Sequence, residues 1–136
     1  MSLRSAATLL VARDASQLEV LVIERPEKMR FAPGAHVFPG GVLDSDDDEL
    51  VRRLSDRCDG WSDEEASENL GVSTGGLAFW VAAVRECFEE VGLLFARHKK
   101  DGETVNLARP GLRERFEGHR QELCGGRLTF AELVVA

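Results

Sequence analysis

The spacing of apolar residues changes twice along the chain and divides it into three stretches. Ala6 to Arg13 (AATLLVAR) and Leu18 to Arg25 (LEVLVIER) are apolar, β-branched runs parted by Asp14-Ala15-Ser16-Gln17. That pattern predicts two antiparallel strands joined by a hairpin turn. From Pro26 to Pro39, Pro33-Gly34 and then Phe38-Pro39-Gly40-Gly41 break the periodicity. A long helix is excluded there, and a short strand around Ala35 to Phe38 is expected within a structured loop.

Helical spacing takes over after Asp44. Asp44 to Glu49 leads into Leu50 to Leu54, and Ser62-Asp63-Glu64-Glu65 opens a second helical stretch. Both have the acidic first turns that the helix dipole favours, so two short surface helices are predicted, with a solvated acidic lid as the simplest role. Leu77 to Val91 (LAFWVAAVRECFEEV) is the strongest helical pattern, and Gly92 follows where a left-handed cap falls. Arg109 to Ala136 reads as helical with a break at Gly125-Gly126.

With 136 residues, 43% of them hydrophobic, the chain fits one domain. Neither a secretion signal nor the run of roughly 20 apolar residues needed to span a bilayer appears. Cys58, Cys87 and Cys124 lie far apart, which suggests free thiols in a reducing, cytoplasmic setting. The net charge of -7 is concentrated in one segment, since Asp44 to Leu70 carries eleven acidic residues against three basic ones. No basic stripe for nucleic acid is visible, and an anionic substrate would need a cation to approach.

At 100° per residue, Leu77, Trp80, Val84, Phe88 and Val91 share one side of the strong helix, while Glu86, Glu89 and Glu90 share the other. Three carboxylates within one turn repel by a few tenths of a kcal/mol per pair. A hard divalent cation such as Mg²⁺ or Mn²⁺, which takes oxygen ligands, would offset that. A solvated acidic edge on an ordinary amphipathic helix has the same spacing, and Phe38-Pro39-Gly40-Gly41 alone reads as a chain reversal.

The combination decides between these. Arg85-Glu86-Cys87-Phe88-Glu89-Glu90-Val91-Gly92-Leu93 matches the whole second half of the Nudix box, Gly41 supplies its opening glycine, and Asp47 stands where its first acidic residue falls. The sequence therefore resembles the Nudix hydrolases. The box is divided: 37 residues, Asp48 to Val84, separate Asp47 from Arg85, against seven in the usual pattern. That division, with Phe31 to Gly41 (FAPGAHVFPGG), is similar to the branch that includes the peroxisomal coenzyme A diphosphatases.

The resemblance implies an α+β fold, a Nudix-type α/β/α sandwich with a mixed β-sheet, formed by residues 1–136 as one domain with an acidic helical insertion at about 48–76. It implies a pyrophosphohydrolase in which Glu86, Glu89 and Glu90 bind Mg²⁺ or Mn²⁺ and Arg85 steadies a carboxylate. These four are the candidate catalytic residues, with Asp47 and Gly92 structural. The general base is one of Glu89, Glu90 or a later carboxylate. Gly40 and Gly41 would let the backbone approach phosphates. Arg25, Lys28, Arg30 and His36 are further substrate-contact candidates, with solubilising or structural roles as their alternatives.

Coenzyme A or an acyl-coenzyme A is the leading substrate on resemblance. Nucleotide sugars, dinucleotide polyphosphates or an oxidised nucleotide are the alternatives, and a non-catalytic nucleotide-sensing module is the alternative from another class. No nucleic-acid or membrane partner is expected. The family sandwich continues beyond the box with more strands and a helix, yet 42 residues follow Leu94, ending in Leu133-Val134-Val135-Ala136. The expectation is an N-terminal portion of a longer protein, or a sheet completed by a partner chain, with a homodimer as the candidate assembly.

Overall fold

The computed structural model describes residues 3–28 and 32–135. Six short strands come first: β1 (Ala6–Thr8), β2 (Ala12–Asp14), β3 (Leu18–Val20), β4 (Ile23–Glu24), β5 (His36–Val37) and β6 (Gly40–Val42). They form three antiparallel two-stranded ladders, β1 with β6, β2 with β3 and β4 with β5. The predicted hairpin is present, with Asp14 opposite Leu18. Its first run, however, changes partner along its length. Leu9 N donates to Pro39 O at 2.8 Å and Leu43 N to Ser5 O at 3.0 Å, so the early residues pair with the Gly40-Gly41 segment. Only the later residues pair with the hairpin's second arm, where Leu21 N donates to Val11 O at 2.9 Å.

The acidic segment forms α1 (Ser45–Leu54) and α2 (Asp63–Leu70), joined through a 3-10 turn at Ser55–Arg57. Asp44 caps α1 by accepting from Asp46 N and Asp47 N, and the Asp47 carboxylate accepts from Asp44 N in return. Ser62 and Glu65 make the equivalent reciprocal cap on α2. Such caps satisfy amides that a helix start leaves without partners.

Neither helix is a free lid. Leu50 of α1 is buried in the main core, and α1 packs on both α3 (Gly76–Val91) and α5 (Phe130–Val135). On α2, Ala66 and Ser67 are buried against α3. The Asp63 carboxylate accepts from Gly75 N and Leu77 N, each at 3.0 Å, and Ser67 Oγ accepts from Gly76 N at 2.9 Å. The first amides of α3, which has no side-chain cap of its own, are thus bonded by residues of α2. Because α1 begins at Ser45, the expected insertion starts inside a helix that already carries Asp47.

The core lies on the helical side, built from Leu50, Val81, Phe88, Leu123, Phe130 and Leu133. α4 (Leu112–Cys124) and α5 supply the last three, and Phe116 of α4 packs edge-on against Phe88. The expected greasy face of α3 needs one correction. Trp80 is 40% exposed and stacks on Trp61, with ring centroids 5.6 Å apart. Ala78, Val81, Ala82, Ala83, Arg85 and Cys87 are buried instead, beyond the predicted stripe. Neighbours pack around several sides of α3, namely β1, β6, α1, α2 and α4, and the small alanines permit that close approach. Among the described residues no helix is long and apolar enough to cross a membrane.

Candidate functional site

The site lies where α3 passes the β1–β6 ladder. Helical period puts Glu86, Glu89 and Glu90 within one turn, and Gly92, at φ 72°, ends the helix directly afterwards, its N–H donating to Phe88 O at 2.9 Å. At the other side, Gly40 N donates to a Glu90 carboxylate oxygen at 3.0 Å. A Cβ on Gly41 would overlap the Glu86 carboxylate, so glycine at this position leaves the space that Glu86 occupies. The Gly40-Gly41 stretch of β6 and the acidic helix face, 45 or more residues apart, therefore meet.

Arg85 organises the centre. Only 5% exposed, it donates from Nε to Asp47 Oδ1 at 2.8 Å and from Nη2 to Asp47 Oδ2 at 3.0 Å, a two-pronged pair with a carboxylate that is 1% exposed. Nη2 also donates to Val42 O at 3.1 Å, and the Asp44 carboxylate lies 3.7 Å away. Nη1 donates to both Glu86 and Glu89, each at 3.1 Å. Burial alone would lower the pKa of this guanidinium. The hydrogen bonds and charges of Asp47, Glu89 and Glu86 outweigh it and hold the pKa above its ordinary value.

Glu86 behaves in the opposite sense. Burial, with the charges of Glu89 and Glu90, raises its carboxyl above the usual range despite the opposing pull of Arg85. Its charged form is therefore under-compensated by the protein alone. The oxygen-only donor set suits a hard divalent cation. Glu86 and Glu89 already converge on one positive centre, the Nη1 of Arg85. Glu90 turns instead to Gly40, and among the described residues no three carboxylate, imidazole or thiol side chains surround a common point.

The other sequence candidates fall elsewhere. His36 is exposed on β5 opposite Glu24, and Arg25 holds the same ladder through its backbone, its N–H donating to Ala35 O at 2.9 Å. Among the described residues neither bonds to a box carboxylate, and the buried Arg25 Nε has no hydrogen-bond partner. Lys28 is exposed. Arg30 lies outside the described residues.

Three contributors were not anticipated: Asp63 at the start of α3, Asp44 beside Arg85, and Arg120 at the end of α3. Arg120 Nε donates to Phe88 O at 3.0 Å and to Glu89 O at 2.9 Å, and Nη2 to Glu90 O at 3.2 Å. Asp44 carries a local sign, as an Asp three residues before the acidic Asp47 in a capping pattern. Asp63 and Arg120 act across folded contacts that no local pattern encodes.

No family-level sequence model matches the chain. Among curated proteins, it is 29% identical over 113 residues to the human acyl-coenzyme A diphosphatase NUDT19, covering 61% of this chain and 28% of that one. It is 33% identical over 97 residues to putative nudix hydrolase 7 of Caenorhabditis elegans, covering 71% and 24%. It is 35% identical over 72 residues to the same organism's peroxisomal coenzyme A diphosphatase ndx-8, covering 52% and 28%. The chain thus spans about a quarter of the length of these relatives. Among solved structures, a NUDIX hydrolase from Alicyclobacillus acidocaldarius superposes with a TM-score of 0.64 at 32% identity, covering 92% of this chain and 50% of that one. The divided box that Arg85 and Asp47 rejoin, the shared fold and these relatives place the chain in the Nudix hydrolase family.

Proposed function

We propose that this chain carries the metal-binding site of a divalent-cation-dependent diphosphate hydrolase whose substrate is coenzyme A or an acyl-coenzyme A. The observation that carries the proposal is that Glu86 and Glu90 meet the Gly40-Gly41 strand while Glu86 and Glu89 are bonded by a buried Arg85. The substrate class rests on the curated relatives named as coenzyme A diphosphatases. Unpaired thiols at Cys58, Cys87 and Cys124 suit a reducing compartment such as the cytoplasm.

Glu86, Glu89 and Glu90 would hold Mg²⁺ or Mn²⁺. When bound, the cation supplies Lewis acidity, offsetting the diphosphate's charge and making water easier to deprotonate. The rest falls to the chain's own groups. Arg85 orients Glu86 and Glu89 and limits their mutual repulsion. Gly41 leaves the space that Glu86 occupies, while Gly40 lets the chain pass close to the Ala7–Thr8 backbone and gives its N–H to Glu90. Glu89 or Glu90 accepts the proton from the attacking water.

The decisive experiment is a hydrolysis panel of coenzyme A, acyl-coenzyme A, nucleotide sugars and dinucleotide polyphosphates, each with Mg²⁺, with Mn²⁺ and with a chelator. Cation-dependent release of adenosine 3',5'-bisphosphate from coenzyme A is expected. Turnover of another diphosphate with none of coenzyme A would overturn the substrate assignment. Glu89→Gln should remain folded and lose at least about 100-fold in rate.

A further inference from the structure

The last turn of α3 bears Glu89 and Glu90, and helix ends are where backbone geometry is least constrained, because the final four carbonyls lack partners within the helix. Gly92 N–H serves one of them, Phe88 O. Arg120 of α4 reaches three: Phe88 O and Glu89 O from Nε at 3.0 and 2.9 Å, and Glu90 O from Nη2 at 3.2 Å. Cys124, one turn further along α4, directs its Sγ at Glu89 O at 3.8 Å. Arg120 Nη1 faces Glu117 of its own helix at 3.3 Å, which holds the guanidinium in place from behind.

We propose that Arg120 is a positioning residue for the box carboxylates: by bonding the carbonyls of Phe88, Glu89 and Glu90 it fixes the backbone from which Glu89 and Glu90 project. Glu89 is then held at two points. Its side chain is bonded by Arg85 Nη1 and its main-chain carbonyl by Arg120. Glu90 is held by Gly40 N–H at its carboxylate and by Arg120 at its carbonyl. The planar fork of a guanidinium suits this role, because Nε and Nη2 donate in fixed directions to successive carbonyls, whereas an ammonium is a compact charge with freely rotating donors. The cation also lies at the negative end of the α3 dipole, a favourable place for positive charge.

This inference rests on the metal-binding reading above, and the test separates the two. Mn²⁺ alone is titrated into the 136-residue chain, and the free ion is followed by electron paramagnetic resonance, with thermal unfolding recorded for every variant. Arg120→Met is expected to weaken Mn²⁺ binding about tenfold, the scale on which groups that orient metal ligands act. Arg120→Lys keeps the charge and should fall between the two. Arg113→Met removes the same charge from the exposed side of α4 and should stay within twofold of the parent.

Unchanged Mn²⁺ affinity in folded Arg120→Met would overturn the proposal, as would an equal loss in Arg113→Met, which would reduce the effect to charge. If Arg120→Met does not fold, Arg120→Lys decides, parental affinity in that variant being the contrary result. Failure of the parent itself to bind Mn²⁺ would remove the metal reading, and this inference with it.

Discussion

Replacing Asp47 with alanine tests the joint that rejoins the divided box. Asp47 is 1% exposed and accepts from Arg85 Nε at 2.8 Å, from Arg85 Nη2 at 3.0 Å and from Asp44 N at 3.0 Å. Removing one partner of a buried ion pair costs about 3–5 kcal/mol. Arg85 would keep Glu86, Glu89 and the Val42 carbonyl, which sets the loss near the lower end. Loss of the return bond from Asp44 N, one half of the capping box of α1, adds up to about 1 kcal/mol. Asp47→Ala should therefore destabilise the chain by about 4 kcal/mol. With a slope of about 2 kcal/mol per molar urea, the unfolding midpoint moves down by about 2 M.

Tryptophan fluorescence suits the assay because Trp61 and Trp80 stack where the acidic segment meets α3. Asp48→Ala, exposed in the same first turn, is the control and should cost less than about 1 kcal/mol. A loss in Asp47→Ala no larger than that in Asp48→Ala, at unchanged slope, would refute the claim that this pair fastens α1 to α3.

Other perturbations separate structure from chemistry. Gly41→Ala should change stability by under about 1 kcal/mol, since only the flexible end of Glu86 must move, yet weaken cation-dependent hydrolysis at least about tenfold by displacing that carboxylate; full activity would dismiss the role assigned to Glu86. Gly76→Ala should be costly in calorimetry, about 3 kcal/mol or more, because its Cβ meets the backbone of Ala66 and Ser67. Gly118→Ala, inside α4 with nothing near its Cβ, should instead stabilise by about 0.5–1 kcal/mol. The Ser62 backbone N–H, and then its hydroxyl, bond the Glu65 carboxylate and hold its pKa below the ordinary value. The unfolded chain thus binds that proton more tightly, so the contribution to stability is present above the ordinary glutamate range and fades as pH falls through the lowered folded-state value. Glu65→Gln should unfold more easily than the parent at neutral pH, with the difference closing as the pH falls below the ordinary glutamate range.

What could be read in advance was what local period encodes. α3, its stop at Gly92 and the grouping of Arg85, Glu86, Glu89 and Glu90 all follow from spacing within a few turns. Asp47 was legible only through the family pattern, since nothing local ties it to an arginine 38 residues away. The face that Trp80 occupies was misjudged because an apolar stripe records preference for burial, whereas the sides of a helix that become covered depend on which elements arrive. The partner change along the first apolar run was equally hidden. Two strands of similar character offer the same alternation to either neighbour, and the choice depends on where the Gly40-Gly41 segment is anchored against α3.

The acidic segment, which as composition suggests a solvated lid, acts as scaffold through three of its carboxylates. Asp44 and Asp47 engage Arg85, and Asp63 engages the first amides of α3. The division of the box is energetically modest on this account. Loop-closure entropy grows only logarithmically, so lengthening the connection from seven residues to 37 costs about 1.5 kcal/mol. One buried, two-pronged ion pair is of comparable or larger size when broken. The insertion also brings its own attachment, since α2 bonds the start of α3 that the longer connection would otherwise leave uncapped. α3 is then gripped at its start by Asp63 and Ser67, at its centre by Asp47 through Arg85, and at its end by Arg120. Its one acidic edge is left facing the Gly40-Gly41 stretch of β6. An edge of like charges held that firmly resists relaxing apart, which is the physical condition for it to favour a divalent cation.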